Sequence, residues 1–223
     1  MQTNLYQITP DDQPALAEIG ALLRAGGLIG IPTETVYGLA ANALDGQAVA
    51  KIFQAKGRPQ DNPLIVHIAA FSQLYPLVGE VPTQAIRLAR AYWPGPLTMI
   101  LPKSPAIPEE VSAGLDTVAV RMPSHPLARA IIQAAGVPLA APSANLSGSP
   151  SPTTAQHVLA DMAGRIQAVV DGGPCSVGVE STVVTLASPC PRLLRPGGIT
   201  PEQLRAVLGK VEIDRAVEEQ LAV

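Results

Sequence analysis

The sequence predicts an α/β protein, a sheet with helices packed against it, built as a single domain over residues 1–208 with a short tail at 209–223. Segments with apolar residues at helical spacing interleave with short apolar runs of strand length along the whole chain. With 47% apolar residues among 223, the chain has enough material for one continuous core. Its 23 prolines and 19 glycines separate the elements by tight turns, and neither a repeat nor a change of composition marks a second domain.

The elements follow in order. Leu16, Ile19, Leu22 and Leu23 share one face of a helix over Pro14 to Arg24, and Gly26-Gly27 stops it. A strand at Leu28 to Ile31 leads into a loop from Pro32 to Leu44. Asp45 then caps a helix with Val49, Ile52 and Phe53 on its apolar stripe and Gly57 at its end. Leu64 to Ile68 is the next strand. Residues 83–92 form a helix closed by Trp93-Pro94-Gly95-Pro96, followed by strands at Leu97 to Leu101 and Thr117 to Met122. A helix from Pro126 to Ala135 precedes a buried strand at Pro138 to Ala141, a polar loop from Pro142 to Thr153 and a helix from Thr154 to Met162. Strands at 166–170 and 181–186 and a short one at Leu193-Leu194 come next. Thr200 and Gln203 form a capping box with Pro201 at the first position of the closing helix. Residues 209–223 read as a short charged helix or a frayed tail.

Composition removes several function classes. No apolar run approaches the roughly 18 residues of a membrane span, and the N-terminus lacks a basic segment followed by an apolar one, so a cytoplasmic protein without a signal peptide is expected. Cys175 and Cys190 fall in no metal-ligand spacing and read as incidental thiols, and no metal site made by protein ligands is expected. A net charge of −3 argues against a general grip on nucleic acid, while leaving room for a local basic groove. Of the 15 basic residues 11 are arginines, whose guanidinium suits carboxylate and phosphate. The fingerprints Gly-x-Gly-x-x-Gly, Gly-x-x-x-x-Gly-Lys-Ser/Thr, Gly-x-Ser-x-Gly and His-Glu-x-x-His are all missing from the sequence.

Charged residues are only 15% of the chain, against about 25% in an average soluble domain, so local clusters stand out. Lys51, Lys56 and Arg58 lie between Asp45 and Asp61 with no acid among them, a local field for an anion. Lys56 also fits a helix-end cation beside the C-terminal dipole. Arg58, beyond the helix, has no such explanation. Ala141 to Gly148 offers hydroxyl, amide and backbone donors after a buried strand, where α/β proteins hold ligands; the same residues also make ordinary turns. Pro32 to Gly38, Gly178 to Thr182 and Arg195 to Gly198 carry the same ambiguity. His67, alone in an apolar strand, reads as a satisfied core residue.

Taken together, Gly27 to Leu39 (GLIGIPTETVYGL), Lys56-Gly57-Arg58-Pro59, Asn62-Pro63-Leu64, Trp93 to Thr98, Pro142 to Asn145 and Glu180 to Val183 closely resemble the YrdC-like threonylcarbamoyl-AMP synthase family, in order and spacing, over roughly residues 14–208. The resemblance implies a single YrdC-like domain, a twisted open sheet of mixed strand direction with flanking helices and a concave ligand-binding face. It implies a nucleotidyltransferase that joins L-threonine, bicarbonate or CO2, and ATP into threonylcarbamoyl-AMP with release of pyrophosphate, for threonylcarbamoyladenosine modification of tRNA. Lys56, Arg58, Ser143 and Asn145 match the family's tetrad around the phosphates. Arg58, Asn62, Thr117, Ser143, Ser151 and Arg195 are expected to contact ATP or its product. Thr35, His67, Arg121, the backbone at Ala141, and Ser181 are expected to contact threonine, which reverses the reading of His67 as core. Mg2+ is expected with ATP, although no acidic cluster is dedicated to it. Hand-over to a tRNA threonylcarbamoyl transferase complex is implied, and direct tRNA binding is left open.

Longer family members carry a linker and a further C-terminal domain; this sequence stops at Val223, so that part of the pattern is not matched. A non-catalytic RNA-binding relative of the same fold is the alternative, with the net charge against it. A carbamoyl-transfer module of the hydrogenase-maturation type is a third reading, and two isolated cysteines argue against it.

Overall fold

The computed structural model describes residues 1–221; Ala222 and Val223, the end of the expected tail, lie outside the described residues. The elements in chain order are β1 (Asn4–Gln7), α1 (Gln13–Arg24), β2 (Ile29–Ile31), β3 (Gly38–Asn42), α2 (Gly46–Lys56), β4 (Ile65–His67), a 3-10 helix (Phe71–Leu77) and α3 (Thr83–Tyr92). They continue with β5 (Leu97–Pro102), α4 (Glu109–Ser112), β6 (Thr117–Arg121), α5 (Pro126–Ala135), β7 (Leu139–Ala140) and α6 (Ala155–Met162). The last are β8 (Ala168–Asp171), β9 (Thr182–Thr185), β10 (Arg192–Arg195), α7 (Pro201–Leu208), β11 (Glu212–Ile213) and α8 (Arg215–Leu221).

The strands form one sheet in the order β1-β8-β2-β3-β7-β4-β6-β5-β9-β10-β11. Its direction is mixed, as expected: β4 and β6 run parallel, while β3, β7 and β4 alternate antiparallel. Both faces are covered. Leu16, Ile19 and Leu23 of α1 and Leu127, Ile131 and Ile132 of α5 pack with Ile29, Ile31 and Val170 on one face. On the other, Val49, Ile52 and Phe53 of α2, Leu88 of α3 and Val158 of α6 pack with Leu39, Val66, Met99 and Val120. Neighbouring strand residues belong to opposite clusters, as with Val169 and Val170, because successive side chains alternate across a sheet. Strands buried on both faces have no polar alternation to announce them.

That property explains the main difference from the sequence reading. The expected loop Pro32 to Leu44 contains β3, whose Gly38-Leu39-Ala40-Ala41-Asn42 lacks β-branched residues yet sits between β2 and β7. Its backbone pairing is fixed by neighbours distant in sequence, which a local propensity cannot reveal. Strand β1 at the sheet edge, where Leu5 is exposed, was unanticipated for the same reason. Beyond residue 208, β11 runs parallel to β10 and Val211 and Val217 enter the core, so the described part of this segment joins the sheet and carries the helix α8.

Candidate active site

The turn after β2 closes on Thr33, whose hydroxyl accepts from the backbone N–H groups of Thr35 and Val36 and donates to the Val36 carbonyl. Thr33, Thr35 and Val36 thereby line an open cleft. His67 and Arg121, which end β4 and β6, are register partners and lie side by side in it. Ala141, Pro142 and Ser143, which follow β7, form another part of the wall, with Glu180 and Ser181 before β9 and Arg195 at the end of β10. Arg58 completes the lining from the end of α2.

The position of Arg58 depends on Gly57. With φ +62°, Gly57 is the left-handed cap of α2, a conformation that L side chains avoid, and it turns the chain so that the Arg58 N–H bonds the Phe53 carbonyl. The guanidinium lies 5.9 Å from the centre of the Phe53 ring. Gly197 is needed for a different reason, since a Cβ there would meet Thr182 N at 2.4 Å. That close approach lets Arg195 donate from Nε to Ser181 O at 2.9 Å and from Nη2 to Ser181 Oγ at 3.0 Å.

Lys56 takes neither of the two simple forms expected of it. It ends α2, as a helix-end cation would, yet it is 3% exposed and its ammonium crosses to the loop after β7. There it donates to the carbonyls of Ser143 and of Asn145, the latter at 2.7 Å, and to Asn145 Oδ1 at 3.5 Å. Burial, with Arg58 adding to it, lowers its pKa to about 8 against the partial opposition of Glu180 and Asp161. Asn145 is committed to the same loop, its amide donating to Leu146 O and Ser149 O. The four tetrad residues therefore converge, with Arg58 and Ser143 on the cleft wall, while Lys56 and Asn145 do not line it and build the loop that presents Ser143.

Thr35, Arg58, His67, Arg121, Ala141, Ser143, Ser181 and Arg195 line the cleft as a group. Ser151 reaches its rim indirectly, donating to Glu180 Oε1 at 3.1 Å. Besides Lys56 and Asn145, two more expected residues, Asn62 and Thr117, are kept from the lining. Asn62 is exposed and donates to Asp61 Oδ1, and Thr117 begins β6 at the opposite end of the strand from Arg121. A residue-type match at a motif position carries no information on which end of a strand faces the ligand.

Sequence reasoning placed two carboxylates in candidate ligand loops but gave neither a role. Glu180 lines the cleft and pairs with Arg195 at 2.5 Å. Glu34, buried and set behind the lining, contacts Arg121 Nη2 at 2.6 Å. The available signal was an acid in each of two otherwise neutral motifs, Thr33-Glu34-Thr35 and Glu180-Ser181-Thr182, in a chain poor in charge.

His67 Nδ1 lies 3.1 Å from Ile65 O. Burial, reinforced by Arg121, lowers its pKa to about 3, so the imidazole is neutral; Nδ1 then donates to the carbonyl and Nε2 is left an acceptor. Its ordinary value is 6.5, so between those values the unfolded chain binds a proton that the folded one refuses. Stability should therefore fall as pH drops from about 6.5 toward 3, by up to about 1.4 kcal/mol per pH unit. Denaturant unfolding of His67→Asn across pH 4 to 6.5 should show a flatter profile than wild type; an unchanged slope would assign the acid loss to other groups.

Comparison with known proteins places these observations. The sequence model of the Sua5, YciO and YrdC family, which bears the description telomere recombination, matches residues 21–197. A threonylcarbamoyl-AMP synthase of Bacillus subtilis is 57% identical over 210 residues, 94% of this chain and 61% of that protein. One from Pyrococcus abyssi is 55% identical over 195 residues, 87% of this chain and 57% of that protein. The chain thus spans about three-fifths of the length of these curated relatives. The crystal structure of P. abyssi Sua5 complexed with L-threonine superposes with a TM-score of 0.93 at 50% identity, covering 98% of this chain and 64% of that one.

Proposed function

The chain belongs to the Sua5, YciO and YrdC family, and from that premise we propose that it is an L-threonylcarbamoyladenylate synthase, a nucleotidyltransferase. L-threonine, bicarbonate and ATP give threonylcarbamoyl-AMP, pyrophosphate and water. The observation that carries this reading is that a carboxylate receptor and a cation-rich wall open into one cleft. Arg121 offers a guanidinium for the amino-acid carboxylate, and Thr35 and His67 beside it offer a hydroxyl and a ring acceptor for the amino-acid hydroxyl. Arg58, Arg195 and the Ser143 loop supply donors for a triphosphate.

The chemistry requires this arrangement. The amine, once carboxylated, attacks the α-phosphate through a carbamate oxygen, and the bond to the leaving pyrophosphate breaks. Two anions must be held in contact while charge grows on the leaving group, so positioning and preorganised positive charge account for much of the catalysis. Arg195 must exchange its Glu180 partner for phosphate, and the freed carboxylate then faces the triphosphate.

That placement suits Mg2+. Among the described residues no group of three His, Cys, Asp or Glu could hold a metal by itself, but Mg2+ commonly uses one carboxylate together with substrate phosphates and water. Glu180 would supply that carboxylate, and the ion when bound offsets phosphate charge. No helix among the described residues is long and apolar enough to cross a membrane. We place the protein in the cytoplasm, with its labile product passing to a tRNA threonylcarbamoyl transferase complex. Pyrophosphate release with ATP and bicarbonate should depend on L-threonine. Release without threonine, or none at all, would sink this reading and leave the non-catalytic RNA-binding alternative to be tested by tRNA titration.

A further inference from the structure

One charged group in the site is held by charge and proximity rather than by well-aligned hydrogen bonds. The Glu34 side chain is 7% exposed, and the geometry gives neither carboxylate oxygen a hydrogen bond, even though Oε1 stands 2.6 Å from Arg121 Nη2. The charges touch without alignment for a hydrogen bond, which also leaves Nη2 without one. A buried carboxylate in this state is costly unless it serves a neighbour. Burial acts to raise its pKa, but Arg121 together with the backbone N–H groups of Glu34 and Ser124 outweighs burial and keeps Glu34 ionised.

Arg121 is tied down on its other nitrogens: Nη1 donates to Thr35 Oγ1 at 2.8 Å and Nε to Gly95 O at a longer 3.3 Å. Glu34 is its only ionic partner among the described residues. Thr35, Arg121 and His67 line the cleft and Glu34 does not, so Glu34 lies outside contact with a ligand seated there. We propose that Glu34 is a positioning residue for Arg121, fixing the guanidinium from behind so that its remaining N–H groups meet an amino-acid carboxylate in the cleft. This rests on the reading of Arg121 as the carboxylate receptor. The opposing effect is electrostatic, since Glu34 adds negative charge behind the position of the incoming carboxylate. Orientation outweighs it because Arg121, and not Glu34, lines the cleft, whereas a guanidinium freed to rotate loses the paired geometry that makes arginine selective for carboxylates.

Two substitutions separate positioning from packing. Glu34→Gln keeps the volume and removes the charge; Glu34→Asp keeps the charge and loses volume. L-threonine affinity by calorimetry should fall about tenfold or more in Glu34→Gln and lie closer to wild type in Glu34→Asp. ATP affinity should stay within about twofold in both, and the KM for threonine should rise with little change in kcat. Unchanged or tighter threonine binding in Glu34→Gln, or the reverse ranking of the two variants, overturns the proposal. Absence of L-threonine binding by wild type overturns the functional reading itself, and this inference with it, so the two failures are distinct.

Discussion

Arg58→Ala should lower kcat/KM by about a hundredfold or more, while its melting temperature stays within about 4 °C of wild type. The two halves of that expectation have one cause. Arg58 lines the cleft but makes no side-chain hydrogen bond or ion pair among the described residues; its side chain rests instead against the Phe53 ring. Phe53 is buried but the Arg58 cation beside it is only half-buried, and such a contact contributes about 1 kcal/mol, so little folding energy is at stake. In the transition state the same guanidinium faces growing charge, where a single preorganised donor contributes roughly 3 kcal/mol. Arg58→Lys should fall between, because ammonium keeps the charge but loses the planar fork. Steady-state kinetics with calorimetric melting checks this, and an Arg58→Ala enzyme within tenfold of wild type would remove Arg58 from the catalytic set.

The sequence made some of this legible and not the rest, for identifiable reasons. Helices α1, α2, α3 and α5 announce themselves because each has one apolar stripe ended by a glycine or proline stop, and α2 adds a cap, Asp45 accepting from Gln47 and Ala48. Strand β3 does not, because its Ala-rich backbone is held by β2 and β7 rather than by local preference. The same division runs through the site. Arg58 and the 141–143 segment stood out as a charge without a structural use and as donors at a strand end. The Lys56 ammonium reaching Asn145, 89 residues further on, is a tertiary contact that helix-end electrostatics does not foretell. Glu34 and Glu180 were invisible as partners because each becomes informative only when its arginine, Arg121 or Arg195, is placed beside it.

Lys56→Met tests the other half of the tetrad, and magnitudes predict a result unlike that of a surface lysine. Removing the ammonium strips a donor from the carbonyls of Ser143 and Asn145, at about 1–3 kcal/mol for each buried acceptor left unmet. Against this, a pKa held at about 8 instead of 10.5 means that burying the charge already costs about 3 kcal/mol at neutral pH, and methionine lifts that cost. The terms oppose each other, so stability should change by no more than about 3 kcal/mol. Function should not be spared, because the loop presenting Ser143 loses the tether that fixes it, and ATP affinity should drop about tenfold or more. The pH dependence follows with a definite sign. Between pH 8 and 10.5 the unfolded chain keeps a proton that folded Lys56 has lost, so wild-type stability from this group rises with pH. Over the same range the tether weakens and nucleotide binding declines. Calorimetric ATP affinity from about pH 7 to 9.5 should therefore fall in wild type while unfolding free energy does not, and Lys56→Met should be weak and flat throughout. A parallel decline in both proteins would mean that Lys56 does not hold the loop through its charge.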